Sequence, residues 1–397
     1  MKKNLFRASM LAVSLAFAAN VFAAGGEIRV GQSVALTGPL SDSGKDYSAG
    51  MKAYFDSLNA KGGVGGKKIT LIVKDDASLP PKTYQNTQAL INDNVDVLAG
   101  YTGTPNIALI VRTKALQKAN IALVGPLTGA DSLRAPYGTE EKAAGQGNYK
   151  LEADSIQEGY IPQLFHVRAS YGDEARKIVK QAVSLGMQKI GVLYSDDAFG
   201  KTGLAAVQAA LREHNLELAT KGIYNLKTNA VGDAVKTINA VKPQAIVMIA
   251  NSDAATAFVK QYRDLDPGAQ LFALSTVGYK SLTKSVGEDA HGVGISQVVP
   301  MPWNSLTPVS KEHLRVMKEF APDQPVTYAT MEGHIVAKVI AEAVKRGGVS
   351  REKMSGALES LKGYDAGGYI VNFGPQERRG SKYVDITVIS KDGELMR

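Results

Sequence analysis

The residues of this chain best suited to chemistry are the hydroxyls and glycines of two adjacent turns. Val95 to Ala99, a mostly apolar run, enters Gly100-Tyr101-Thr102-Gly103-Thr104-Pro105, and a helical pattern opens at Asn106. Ile121 to Val124 then enters Gly125-Pro126-Leu127-Thr128-Gly129. Each copy reads as strand, small-hydroxyl turn, helix. An apolar run of that length bounded by Gly and Pro suits a fully buried strand of a parallel sheet, and its turn lies outside the carboxyl end of a strand, where α/β sheets hold ligands. Hydroxyls such as those of Thr102, Thr104 and Thr128 would meet free amide protons there. Helix starts carry partial positive charge, so such a pocket favours an anion. Simple capping of helices by Thr and Gly is the structural alternative.

Other chemistries fail on spacing. Gly38 to Lys45 approaches a phosphate loop, but five residues separate Gly38 from Gly44 and Asp46 stands where a Mg²⁺-binding hydroxyl is needed. Gly200-Lys201-Thr202 has the right tail, with Ser195 in place of the first glycine. His166, His214, His291, His313 and His334 include no pair at helical ligand spacing, and the chain has no Cys, so no metal site is expected. No Gly-x-Ser-x-Gly elbow is present. Asp75-Asp76 and Asp196-Asp197 are adjacent at strand ends, and adjacent side chains seldom face each other, so they read as loop caps rather than an acid and base. No cofactor is expected.

These turns must be positioned by the rest of the chain. The first residues stand apart: Lys2, Lys3 and Arg7 precede the apolar run Ala8 to Ala19, and Val21-Phe22-Ala23 offers a cut site, the pattern of a signal peptide. The run is too short for a comfortable membrane span. With no Cys beyond it, a lipid anchor of the bacterial lipoprotein kind is not expected either. Roughly 370 mature residues point to two domains. Net charge falls from +8 to +5 when the three leader cations leave, and the remaining excess is too dispersed for a nucleic-acid surface.

Strands at Ile28 to Leu36 and Ile69 to Val73 alternate with helical patterns at Tyr47 to Leu58 and Pro81 to Asp93, giving β-α-β-α-β-α-β with the two turns above. From Pro136 to Gln163 periodicity is lost, as in a long surface loop or insertion. A second β-α series runs from Phe165 to Leu274, and a further strand lies at Val293 to Val299. Helical stretches at Ser310 to Phe320, Thr327 to Arg346 and Arg351 to Leu361 precede β patterns at Tyr369 to Phe373 and Val384 to Ser390. The fold class is α/β, with two similar doubly wound parallel-sheet lobes. Helices detached from strands near the end suggest a return to the first lobe and one more crossing.

Ala35-Leu36-Thr37-Gly38-Pro39 with Gly44 and Gly50, Asn59-Ala60-Lys61-Gly62-Gly63-Val64-Gly65-Gly66, Asp75-Asp76, Gly100 with Thr104, Pro126, Phe199-Gly200 and Gly367 to Gly374 span nearly the whole mature chain. In these stretches the sequence resembles the type I periplasmic solute-binding proteins, in particular the branched-chain amino-acid group that serves ABC importers. The resemblance implies two α/β lobes joined by three crossovers and a solute held in the cleft by hinge closure, a motion for which these proteins are a standing general example. It implies a signal peptide at 1–23, one lobe from 27–168 plus 300–367, and the other from 169–299 plus 368–397.

Carried over by residue, the resemblance places the ligand carboxylate on Thr104, a second turn at Leu127, Thr128 and Gly129, and a covering aromatic at Phe199. Asn251 or Ser252 falls where the family has another aromatic, and Ser43 replaces a large aromatic at the cleft mouth. Thr276 replaces the carboxylate that pairs with a ligand ammonium, and a buried ammonium without a partner is costly. Either Asp173, Glu174, Asp196 or Asp197 substitutes, or the ligand has no ammonium. Tyr171 is added as a candidate for the far wall. The expected function is a non-enzymatic periplasmic receptor for a small carboxylate-bearing solute, acting as a monomer with a membrane permease. A ligand-sensing protein that hands its closed form to a membrane receptor is the second hypothesis; an enzyme on a similar scaffold is the third, and no motif supports it.

Overall fold

The computed structural model describes residues 26–135 and 160–397. The expected leader and residues 136–159 of the expected insertion lie outside the described residues. The first lobe opens with β1 (Glu27–Val34), α1 (Ser41–Asn59), β2 (Lys68–Asp75), α2 (Pro80–Asn92), β3 (Val97–Ala99), α3 (Thr104–Arg112), α4 (Ala115–Ala119), β4 (Leu123–Val124) and β5 (Leu164–Phe165). These strands form a parallel sheet in the order β2-β1-β3-β4-β5. The second lobe follows with α5 (Tyr171–Ser184), β6 (Ile190–Ser195), α6 (Ala198–Arg212), β7 (Thr220–Tyr224), α7 (Gly232–Val241), β8 (Ala245–Ile249), α8 (Ser252–Arg263), β9 (Gln270–Ala273), α9 (Tyr279–Val286) and β10 (Gly294–Gln297).

Its parallel strands run β7-β6-β8-β9-β10, the same winding as in the first lobe. In both sheets the order reverses beside the first strand of the series, at β1/β3 and at β6/β8. Such switch points leave a crevice outside the carboxyl ends of the strands.

The chain then returns to the first lobe as α10 (Pro308–Phe320), α11 (Tyr328–Lys345), α12 (Arg351–Glu359), β11 (Tyr364–Asp365) and β12 (Ile370–Val371). Finally β13 (Asp385–Ile389) and β14 (Leu395–Met396) extend the second sheet antiparallel to β10. Tyr369, Val371 and Phe373 are buried in one cluster with Ile28, Val97 and Ile340 of the first lobe. The boundary expected at 367/368 therefore falls inside a segment still packed on the first lobe, because these apolar residues cover its core before the last crossing. Two further readings are corrected. Within the described residues up to 135, the second hydroxyl turn is followed by a 3-10 turn at Asp131–Leu133 rather than the expected α-helix, and α9 forms in a stretch for which no element is expected.

The first lobe is held by the crossing of α1 with α11, an almost wholly buried helix. Gly50 and Gly333 permit that contact: a methyl carbon on Gly50 would fall on the Thr330 carbonyl, and one on Gly333 on the Tyr47 carbonyl. Backbone cannot yield as a side-chain tip does. Gly333→Ala is expected to lower the unfolding free energy by about 3 kcal/mol through overpacking. Gly356→Ala, on an exposed face of α12 with nothing near the added carbon, should raise it by up to about 1 kcal/mol. Urea denaturation of the two variants checks the contrast.

Candidate functional site

The two switch points face each other across the gap between the lobes. Loops after β1, β3 and β4 bring Leu40, Ser43, Gly103, Thr104, Pro105 and Leu127 to one wall, and loops after β6, β7, β8 and β9 bring Asp197, Phe199, Leu226, Ala250, Asn251 and Thr276 to the other. Tyr171, just past the first crossing, completes the lining. The enclosed cavity measures about 50 Å³. Small-molecule sites are commonly at least about 300 Å³, so the lobes stand close together here. Contacts between first-lobe loops and α5 agree: the Tyr171 amide donates to the Gly129 carbonyl at 2.7 Å and the Gly172 amide to Asp131 Oδ2 at 2.8 Å, while within the second lobe the Tyr171 and Phe199 rings meet edge to face with centroids 5.4 Å apart.

Hydroxyls converge at one end. Thr104 and Thr128 share a hydrogen bond of 2.7 Å between their Oγ1 atoms, and the Ala130 amide donates to Thr128 Oγ1 at 3.2 Å. The buried Tyr171 phenol has its pKa raised by burial, and Arg168, the Thr104 hydroxyl and the Gly129 backbone oppose the rise. Thr104 also opens α3, whose start has no side-chain cap. Gly103 precedes it at φ 90°, a left-handed conformation that glycine adopts without strain. Orphan amides at such a start carry the partial positive charge that attracts an anion. In the second lobe Ser170 caps α5, Asp197 caps α6 and Asn251 caps α8, the counterpart of α3, while α7 and α9 start without a side-chain cap.

The structure assigns different work to the remaining expected residues. Thr102 is fully buried behind the cavity, where its Oγ1 accepts from the Ala35 amide at 3.1 Å. Leu127 reaches the wall with its side chain, but its amide donates to the Tyr101 carbonyl at 2.7 Å, and the Thr128 amide donates to Pro126. The expectation of free amide protons at that turn is therefore corrected, because the turn bridges in parallel to Thr102 instead. Gly129 packs its α-carbon against the Tyr171 ring, a contact that leaves no room for a side chain. Thr276 lies on the wall and donates to the Ala250 carbonyl at 2.9 Å. Asn251 accepts from the Ala254 amide and donates to Asn229. The apolar part of the second-lobe wall comes from Phe199, Leu226 and Ala250.

Of the four carboxylates considered as replacements at position 276, Asp197 alone lines the cavity. Its Oδ1 accepts from Ser195 Oγ at 2.6 Å and the Gly200 amide at 2.9 Å. Asp173 closes the α5 capping box and pairs with Arg176, and Asp196 pairs with Lys201 in solvent. Glu174 is fully buried at the first crossing, 3.2 Å from Arg168, and accepts from the Ser275 amide and the Ser296 hydroxyl. Asp75 caps as expected, accepting from Leu36, Thr37 and Ala77, and despite some burial these bonds hold its carboxyl well below the usual range.

A buried charge cluster, which the sequence reading missed, backs the site. Arg168 lies between Glu174 and Glu332 of α11, the latter at 3.6 Å, and also donates to the Ser275 hydroxyl. Arg134 donates to the Arg168 carbonyl at 2.8 Å and to the Thr128 carbonyl at 2.7 Å, joining the crossing to the hydroxyl turn. Burial lowers the Arg134 pKa to about 10, still charged at neutral pH. The one signal in the sequence was a lone Arg closing the apolar run Phe165 to Arg168. Arg168→Met leaves two buried carboxylates without their cation and is expected to cost about 3–5 kcal/mol of stability. Urea denaturation at neutral pH measures it, and a loss below about 1 kcal/mol, the range of exposed pairs, would contradict the role assigned to the cluster.

Comparison with known proteins agrees with this architecture. A family profile described as periplasmic binding protein matches residues 27–394. The Leu/Ile/Val-binding protein homolog 7 of Brucella suis biovar 1 (strain 1330) is 25% identical over 383 residues, covering 92% of this chain and 84% of the relative. A substrate-binding periplasmic protein from Ralstonia solanacearum is 33% identical with a TM-score of 0.82, covering 93% of this chain and 99% of that one. A possible leucine/isoleucine/valine-binding protein from Rhodopirellula baltica SH 1 is 27% identical with a TM-score of 0.83, covering 94% and 97%. Among the described residues no helix is long and apolar enough to cross a membrane. Two lobes of the same winding, a hydroxyl-lined cavity between their switch points and a family match over nearly the whole chain lead to one assignment: this chain belongs to the periplasmic binding proteins and has their type I fold.

Proposed function

We propose that the chain is the non-enzymatic, periplasmic solute receptor of an ABC importer, exported by the leader at 1–23. Its solute is a small molecule bearing a carboxylate, most simply an aliphatic amino acid, trapped when the lobes close. The observation that carries this reading is the uncapped start of α3 at Thr104, with the Thr128 and Tyr171 hydroxyls beside it, facing the apolar wall of Phe199 and Leu226. Pro105 supplies no N–H and the Ile107 amide is bonded to Gly103, so the Thr104 amide and hydroxyl are the groups at this start that suit a carboxylate, and Phe199 and Leu226 suit an aliphatic remainder. Thr104, Leu127, Tyr171, Phe199, Asn251 and Thr276 form the proposed contact set, with Thr102, Thr128 and Gly129 shaping the turn behind it.

An organic acid without an amine is the second reading. Thr276 favours it, since this residue supplies no carboxylate and its hydroxyl is turned to Ala250. Asp197 on the same wall favours an amino acid. Calorimetric titration with L-leucine and α-ketoisocaproate separates the two, because these probes differ only at the α-substituent.

Loss of one buried charge-assisted hydrogen bond costs about 1.5–3 kcal/mol. Thr104→Val is therefore expected to weaken the better of those two probes at least about tenfold. Circular dichroism should still show a folded protein, with a melting temperature lowered by the loss of the buried Thr104–Thr128 bond. Unchanged affinity would remove the carboxylate from this turn. Closure has a built-in reporter as well: Trp303 is the sole tryptophan and packs against Tyr279 of the second lobe at 5.4 Å and Tyr328 of the first at 5.3 Å between ring centroids. Saturating probe should shift its emission, whereas an unaltered spectrum on a bound complex would argue against movement between the lobes.

A further inference from the structure

A second chamber of about 330 Å³ adjoins the cavity, with Ser43 and Thr276 common to both linings. The α1 and α11 sides of the first lobe and the α9 side of the second enclose it. Its lining includes Asp46, Thr327, Tyr279 and Tyr328. Asp46 is half-buried and accepts from Thr327 Oγ1 at 2.9 Å, and among the described residues no Lys, Arg or His ion-pairs with it. The two tyrosines present aromatic surface to the same space. A desolvated carboxylate without a cation, next to aromatic rings, is the combination that recognises an ammonium or guanidinium group.

We propose that this chamber is a second subsite, in which Asp46 with Tyr279 and Tyr328 receives a cationic group at the far end of a solute whose carboxylate lies at Thr104. The proposal rests on the reading of the first cavity as a carboxylate site. It makes the solute class one with a carboxylate and a basic group several bonds apart. Ser43 is small at the junction of the two spaces, which leaves a passage for the connecting chain. Lys45 and Lys280 also line the chamber, but both are exposed, and a solvated ammonium exerts less influence than a desolvated carboxylate. Burial, opposed by the Thr327 bond and Lys280 and reinforced by Asp42, pushes the Asp46 carboxyl up to about 6. A bound cation would restore its ordinary acidity.

Calorimetry at neutral pH with two matched series tests this: caproate, ε-aminocaproate and adipate, and L-norleucine with L-lysine. In a series that binds, the amine-bearing member is expected to be at least about tenfold tighter than its methyl-ended counterpart. Asp46→Asn should collapse that ratio, and so should Ser43→Phe, which blocks the passage and serves if the first variant fails to fold. Equal affinities in the wild-type protein, tighter binding of adipate than of ε-aminocaproate, or a ratio that survives the substitutions would overturn the second subsite. If caproate or L-norleucine binds and the amines gain nothing, only this subsite falls. If no member of either series binds, the carboxylate reading falls with it.

Discussion

Arg168 is the constraint around which the two lobes are arranged. It sits at the first crossing, almost fully buried, between a carboxylate of each lobe: Glu174 on α5 and Glu332 on α11. A guanidinium removed from water is costly unless its charge is met, and both lobes supply the carboxylates that meet this one. Arg134 adds a second buried cation, so the four side chains are balanced in formal charge. Through the carbonyls of Arg168 and Thr128 it also ties the crossing to the hydroxyl turn. The interlobe geometry and the position of Thr104 therefore share one hydrogen-bonded frame.

The frame works because the two sheets are wound alike. Each reverses its strand order beside its first strand, so each offers a crevice at the same end, and the crossings turn these crevices toward one another. Rigid strands carry loops that are free to specialise. The loop after β3 leaves the start of α3 without a side-chain cap at Thr104, whereas its second-lobe counterpart, the start of α8 after β8, is capped by Asn251. Both walls mix polar and apolar groups: Ser43 and Thr104 with Leu40 and Leu127 on one, Asp197, Asn251 and Thr276 with Phe199 and Leu226 on the other. Backing contacts keep the first wall in place: Tyr47 donates to the Gly125 carbonyl at 2.6 Å and Gln32 to the Gly100 carbonyl at 3.1 Å.

Much of this was legible in the residues. Apolar runs ending in Gly, Pro and Thr located β3 and β4, and helical spacing of Tyr47, Met51, Tyr54 and Phe55 located α1, because burial imposes those periods directly. Thr104, Phe199 and Thr276 were reachable through family resemblance, and all three lie on the cavity wall. What escaped depends on partners distant in sequence. Nothing local distinguishes the amide of Leu127, which is spent on Tyr101, from one left open. After Gly129 the described residues form a 3-10 turn where a helix is expected, and the Gly129 carbonyl accepts from the Tyr171 amide, a partner distant in sequence. Arg168 read as a strand end, since its two carboxylates come from opposite lobes, and the chamber beside Asp46 exists only where α1, α9 and α11 meet.

The central claim is that a carboxylate binds at the open start of α3 with the second lobe closed over the rest of the solute. A crystal structure of the mature chain grown with its tightest-binding carboxylate probe tests it most directly. The account predicts carboxylate oxygens within hydrogen-bonding distance of the Thr104 Oγ1 and amide, and Phe199 against the remainder of the molecule. A probe bound instead in the open groove beside Asp131 and Arg176, or held in the cleft with its carboxylate turned away from Thr104, would contradict it.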